Sequence, residues 1–144
     1  MPVQRDNPYA NYNFVVELGG EEVGGFSEVD LPEATIETIE YREGGDKTAS
    51  ARKLPGRVSY ANVVLRRGLA GRTDLWDWFE ATRNGSLQRR DVTITLLDEA
   101  RSPVQRWLLR NAWPAKFASP ELNAHGNEVV IETLELAYEG LEIE

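Results

Sequence analysis

A chain of 144 residues with 41% hydrophobic side chains, four Trp, five Tyr and four Phe has apolar material for one folded unit, residues 1–144, and little to spare for a second. The absence of Cys and the single His exclude disulfides, thiolate chemistry and any two-His metal site, so no metal and no cofactor is expected. A net charge of −8 disfavours sequence-independent nucleic-acid binding, and no apolar run approaches the roughly 18 residues of a membrane-spanning helix; the polar start, Met1 to Asp6, carries no export signal and implies synthesis in the cytoplasm.

In chain order, Tyr12, Phe14, Val16 and Leu18 alternate with Asn13, Val15 and Glu17, which predicts a strand with one buried face, stopped at Gly19-Gly20. Val23 and Phe26 flank Gly24-Gly25 and lead to Leu31-Pro32, the pattern of a short hairpin. Residues 35–41 have strand composition with imperfect alternation. Residues 43–55 follow as a charged, glycine-rich stretch far too long for a hairpin turn. Such a stretch gives an isolated domain nothing, and it predicts an arm used on neighbouring subunits. Val58 to Leu65 resumes a strand, ended by Arg66-Arg67-Gly68.

One helix is predicted over residues 73–84. Thr73 suits the N-cap, Asp74 and Asp77 suit the positive end of the dipole, and Asn84-Gly85 is a C-terminal stop. Leu75, Trp78, Phe79 and Thr82 share one face, which lays the helix over a sheet. Trp76 lies off that stripe, leaving it either to meet another subunit or to cover a barrel edge.

Val92, Ile94 and Leu96 mark the next strand, and residues 98–103 have turn chemistry. Residues 104–112 then place Trp107 and Leu109 on one face, with Arg106, Leu108 and Arg110 on the other. Trp113-Pro114 interrupts, Lys116-Phe117 suits a short edge segment, and residues 120–127 read as a loop containing His125. The final strand, residues 129–138, reads as changing its apolar face between Val129-Ile131 and Leu134-Leu136-Tyr138, as at a bulge or between two packed sheets. The sum is a mainly β chain: an antiparallel barrel or sandwich with one flanking helix and a long inter-strand arm.

Charge is unevenly placed. Twelve of the sixteen basic residues lie between Arg52 and Arg110, while seven glutamates and no Lys or Arg follow Lys116. Such blocks either alternate around one surface or form complementary faces for self-association. Catalytic patterns are missing: the glycine pairs sit between strands rather than before a helix, and the glutamates from Glu132 to Glu144 read as a solvated acidic surface. Two non-structural readings stay open. One is a carboxylate hydrolase. The other is a single-strand nucleic-acid-binding β-barrel using Arg66-Arg67 and Arg89-Arg90, with Tyr60 and Trp107 as stacking platforms.

A set of short motifs, in order and over nearly the whole chain, resembles the inner-tube proteins of contractile phage tails and contractile injection systems. They are Tyr12 to Val16, Val23 to Val29, Glu40 to Gly45, Lys53 to Gly56, Leu65 to Gly68, Leu75 to Trp78, Arg89 to Val92, Asn111 to Pro114 and Glu132 to Leu136. Asp30-Leu31 stands where the family often carries Ser-Gly, a departure at one turn. The resemblance implies a non-enzymatic subunit. Its homohexameric rings would stack into a hollow tube inside a contractile sheath, with baseplate and spike proteins as further partners and cargo in the lumen. It implies a place in an assembled phage-tail-like particle and no specific nucleic-acid binding beyond a genome passing through. It also implies that the arm reaches a neighbouring subunit or ring. The contact residues expected are Arg42, Glu43, Asp46, Lys47, Arg52 and Lys53, joined by Trp76, with Lys47, Arg52 and Lys53 meeting acidic residues of the neighbour.

Overall fold

Alternation from Phe14 onward becomes strand β1 (Phe14–Leu18), which turns at Gly19-Gly20 into β2 (Glu21–Val23). Both glycines have positive φ, 63° and 89°, the backbone that a two-residue hairpin needs. The hairpin is therefore here and not at Gly24-Gly25, where the chain leaves one half of the sheet for the other. The computed structural model describes residues 8–10, 13–45, 51–119, 122–126 and 129–144.

Strand β3 (Phe26–Asp30) is followed by β4 (Glu33–Tyr41) and β5 (Arg52–Ala61), then β6 (Val63–Gly68). Helix α1 (Asp74–Arg83), β7 (Arg90–Leu97), β8 (Pro103–Ala118), β9 (Ile131–Ala137) and β10 (Gly140–Ile143) complete the chain. All pairings are antiparallel, in the order β2-β1-β7-β8-β9-β6-β3, with β10 also on β8 and β4-β5 forming a separate pair. The end strands β2 and β3 are not paired with each other, so the sheet curls without closing into a barrel.

Strand β8 turns the corner. Its first part pairs with β7 and β10, and from Trp113 onward it pairs with β9, so it belongs to two leaves. Asn111 at the bend has φ 54°, a left-handed conformation that Asn tolerates. Its amide donates to Asp91 Oδ1 at 3.1 Å and its side chain to Glu139 Oε2 at 3.1 Å. The Asn111 amide, and after it the Arg110 guanidinium, hold Asp91 below the usual carboxylate range. Pro114 does not break the strand as its sequence suggests, because a bulge between Pro114 and Lys116 absorbs the missing donor.

Between the leaves lie Val16, Leu65, Val92, Ile94, Leu109, Leu134 and Leu136, capped by Leu75 and Trp78 of α1. Along β9 the buried face carries Glu132, Leu134 and Leu136 in strict alternation, so the apparent change of face is really a buried glutamate. Thr73 makes no side-chain bond to the helix backbone; its hydroxyl donates to Asp77 Oδ2 instead. The start of the helix is held by Arg67, whose guanidinium donates to Asp74 Oδ1 at 2.7 Å. At the other end the Ser86 amide reaches Ala81 O and the Gly85 amide reaches Thr82 O, with Gly85 at φ 90°. Gly85→Ala is expected to cost about 1 kcal/mol in urea unfolding, since an alanine there keeps the left-handed strain and gains no contact. An unchanged midpoint would refute that.

Candidate assembly surface

Two extended segments leave the sheet at Leu31-Pro32 and return at Asn62, and they carry an unusual amount of uncovered apolar surface. Strands β4 and β5 pair along their length, from Glu33 opposite Ala61 to Tyr41 opposite Arg52. They continue β3 and β6, which pair from Asp30 opposite Val64. Of what the sequence predicts as a loop-like arm over residues 43–55, residues 52–55 belong to β5, and the projecting element is a longer β-ribbon made of β4 and β5.

Every residue of β4 is exposed, and in β5 only Gly56 and Tyr60 are partly covered. Residues opposite one another share a face. Ile36 and Val58 form one apolar pair, 57% and 54% exposed. Two residues of β5, Gly56 and Arg57, then stand against Glu37 as a bulge. Beyond it Ile39 faces Leu54, and Tyr41 faces Arg52, on the opposite side of β4 from Ile36. The ribbon therefore presents apolar side chains on both faces, one near its base and one near its tip. A two-stranded ribbon with two uncovered apolar faces gains no core of its own.

Its base is pinned. The Tyr138 hydroxyl donates to Ala61 O at 2.8 Å, the Tyr60 and Tyr138 rings lie 5.5 Å apart, and Asn62 Nδ2 donates to Glu135 Oε2 at 3.3 Å. Burial, followed by the neighbouring Tyr60, pushes the Tyr138 phenol up from its ordinary value.

Of the residues predicted to make contacts, Arg52 and Lys53 open β5, opposite Tyr41 and Glu40. Arg42 and Glu43 follow β4, where Tyr41 donates its hydroxyl to Glu43 Oε1 at 3.2 Å. Asp46 and Lys47 lie outside the described residues. Trp76 does not join this group. Its ring sits 5.3 Å from Phe117 and 5.7 Å from Phe79, under the Arg83 guanidinium, tying α1 to the end of β8. Sequence reasoning missed Ile36, Ile39, Leu54 and Val58, whose signal was four large apolar residues in a segment without a buried face.

The charge blocks meet inside the chain. Arg67, which sequence places at a strand end, is 2% exposed and donates to Glu132 Oε1 at 2.6 Å and to Asp74. Arg89 pairs with Glu139, Arg110 with Glu142 and Asp91, and Arg66 with Glu28 and Asp30. Of the glutamates after Lys116, Glu132, Glu139 and Glu142 are therefore partners of the basic block and not a free acidic surface. The nucleic-acid reading loses its platform on the same grounds, since Arg67 is buried, Arg90 lies over Trp78 and Tyr60 stacks on Tyr138. His125 lies in an exposed turn, its amide donating to Asn123 Oδ1. Among the described residues no group of three or more His, Asp and Glu is placed to hold a metal ion, and no helix is long and apolar enough to cross a membrane.

The family model described as T4-like virus tail tube protein gp19 matches residues 10–142. The chain belongs to that family. This tail tube protein is similar in structure to a chain of the anti-feeding prophage (AFP) baseplate, at 28% identity, TM-score 0.86 and 97% coverage of each chain. It is equally similar to a chain of the PVC sheath-tube complex of an extracellular contractile injection system in the extended state, at 28% identity and TM-score 0.86, covering 96% of this chain and 93% of that one. Hcp1 from Flavobacterium johnsoniae shares the fold at 10% identity and TM-score 0.56, covering 90% of this chain and 93% of that one. Among curated proteins no sequence matches. The tail tube protein is a structural tube subunit, and its family is one of structural proteins.

Proposed function

We infer that the tail tube protein assembles into homohexameric rings that stack as the hollow inner tube of a contractile particle, with sheath and baseplate proteins as its partners. The observation that carries this reading is the β4-β5 ribbon, with two apolar faces left exposed among the described residues. A copy that covers one of them meets the ribbon with a different part of its surface, and such head-to-tail contacts generate rings and open stacks. Similarity to chains in a sixfold-symmetrised baseplate and in a sheath-tube complex supports the same geometry.

Arg52 and Lys53 near the ribbon tip give the contact a charged component, to which Asp46 and Lys47 are proposed to add. The wall that a sheath must grip and release is best served by many weak, screened ion pairs, because sliding an apolar seam exposes area at roughly 25 cal/mol per Å².

Electron microscopy of the purified protein is the test. Rings or short tubes are expected without any added ligand. Arg52→Glu combined with Lys53→Glu is expected to leave the circular dichroism spectrum unchanged and to block stacking. Normal tubes from that variant would remove the charged part of the contact, and a strictly monomeric parent protein would remove the whole reading.

A further inference from the structure

Because β2 and β3 do not pair, the sheet leaves a cleft of about 460 Å³ between β3 and the opposite leaf. Its floor is apolar, made by Phe14, Leu96 and Trp107, and its lip is the β3 edge with Glu28 and Asp30. Arg66 bridges these two carboxylates at 3.2 Å each, yet they remain 66% and 58% exposed, so the lip keeps one more carboxylate than cation and is open to a second one. An apolar slot with an acidic lip fits an apolar segment that carries a cation beside it.

The outer half of the ribbon has that composition on a single face: Ile39 opposite Leu54, followed by Tyr41 opposite Arg52. It cannot reach the cleft of its own chain. The cleft ends at Leu31, and Ile39 lies eight residues further along an extended strand, about 25 Å at 3.2–3.4 Å per residue. Among the described residues β4 and β5 form their ladder with each other, and the ribbon is tied to the rest of the fold at its base, through Tyr60 and Ala61.

We propose that the cleft between β3 and the β1-β7-β8 leaf receives the ribbon tip of a second copy. Ile39, Tyr41 and Leu54 enter over Trp107 and Leu96, and Arg52 meets Glu28 and Asp30. This rests on the tube reading and assigns the two halves of its contact. Donor and acceptor surfaces differ, so each copy offers one of each and the contact propagates instead of closing into a dimer. The inner apolar pair, Ile36 and Val58, lies on the other face of β4 and stays out of the cleft.

The chain has no Cys, so introduced thiols are unambiguous. Ser27→Cys, on the exposed cleft wall, is combined with Leu54→Cys near the ribbon tip, and assembled protein is treated with a short bis-maleimide. A ladder of covalent dimers and higher multiples is expected, and the Ser27→Cys and Ile36→Cys combination is expected to give at least tenfold less. Leu31→Cys with Tyr41→Cys is a second pair with the same expectation, used wherever the first disturbs folding. Rings or tubes that form without either crosslink overturn the docking and leave the tube reading standing. Crosslinks from Ser27→Cys that reach only a different protein of the particle also overturn it. Parent protein that never assembles overturns both.

Discussion

Ile39→Asp combined with Leu54→Asp is expected to abolish rings and tubes while leaving the monomer folded. Both side chains are nearly half exposed, 44% and 45%, and lie in the outer half of a ribbon whose ties to the rest of the fold are at its base, at Tyr60 and Ala61. Their loss therefore changes urea unfolding by no more than about 0.5 kcal/mol, the range of ordinary surface substitutions. In the assembly the same positions are covered. Each apolar side chain, already about half covered in the monomer, then loses about 1 kcal/mol of further burial, and a carboxylate placed in an apolar contact adds its own larger desolvation cost. The loss recurs in every copy of the tube. Leu69→Asp is the matched control, because Leu69 is 53% exposed and lies off the ribbon. Sedimentation and electron microscopy of both variants decide the matter: tubes from the ribbon variant would sink the assignment, and so would their equal loss with Leu69→Asp.

Arg67→Ala is expected to be the most destabilising single substitution in the fold. The Arg67 guanidinium joins β6 to Glu132 on β9 and to Asp74 at the start of α1, and Glu132 is only 3% exposed. Removing the cation strands a buried carboxylate, which costs about 3–5 kcal/mol where a buried pair is broken from one side. Arg67→Met with Glu132→Leu is expected to recover most of that, because no charge is left behind. A loss below about 1 kcal/mol for Arg67→Ala would show that water reaches Glu132.

The same network has a pH signature. The hydrogen bond from Arg67 is the largest influence on Asp74 and holds its carboxyl below the usual carboxylate range, against the opposing effect of burial. A depressed folded value means that this contribution is present above the unfolded value of about 3.9 and is lost as pH falls through the folded one. Acid unfolding of the parent is therefore steeper in that window than acid unfolding of the Arg67→Ala variant.

Where burial is one-sided, the fold was legible from residues alone. Phe14, Val16 and Leu18 alternate, Val92 and Ile94 alternate, and Leu75 and Trp78 keep helical spacing, so β1, β7 and α1 stood out. Pro114 looked like a stop because the bulge that accommodates it is set by β9, some twenty residues later. Strand β10 looked like an acidic tail because Arg110, which pairs Glu142, comes from a different strand. Glu132 hid in the same way, since its partner Arg67 lies 65 positions earlier. The candidate site was legible as excess length and charge. Its ribbon character was not, because β4 is exposed along its whole length and has no buried face to impose a period on its own sequence.

The pinned base of the ribbon has a mechanical consequence. Strands β4 and β5 run directly into β3 and β6, and β6 is joined to β9 by consecutive register from Val63 opposite Leu136 to Gly68 opposite Ile131. Tension at the tip pulls β6 lengthwise past β9. The rungs of that ladder then share the load in shear instead of opening one after another like a zipper. A thrust delivered through neighbouring copies is thus met by the strongest direction of the sheet.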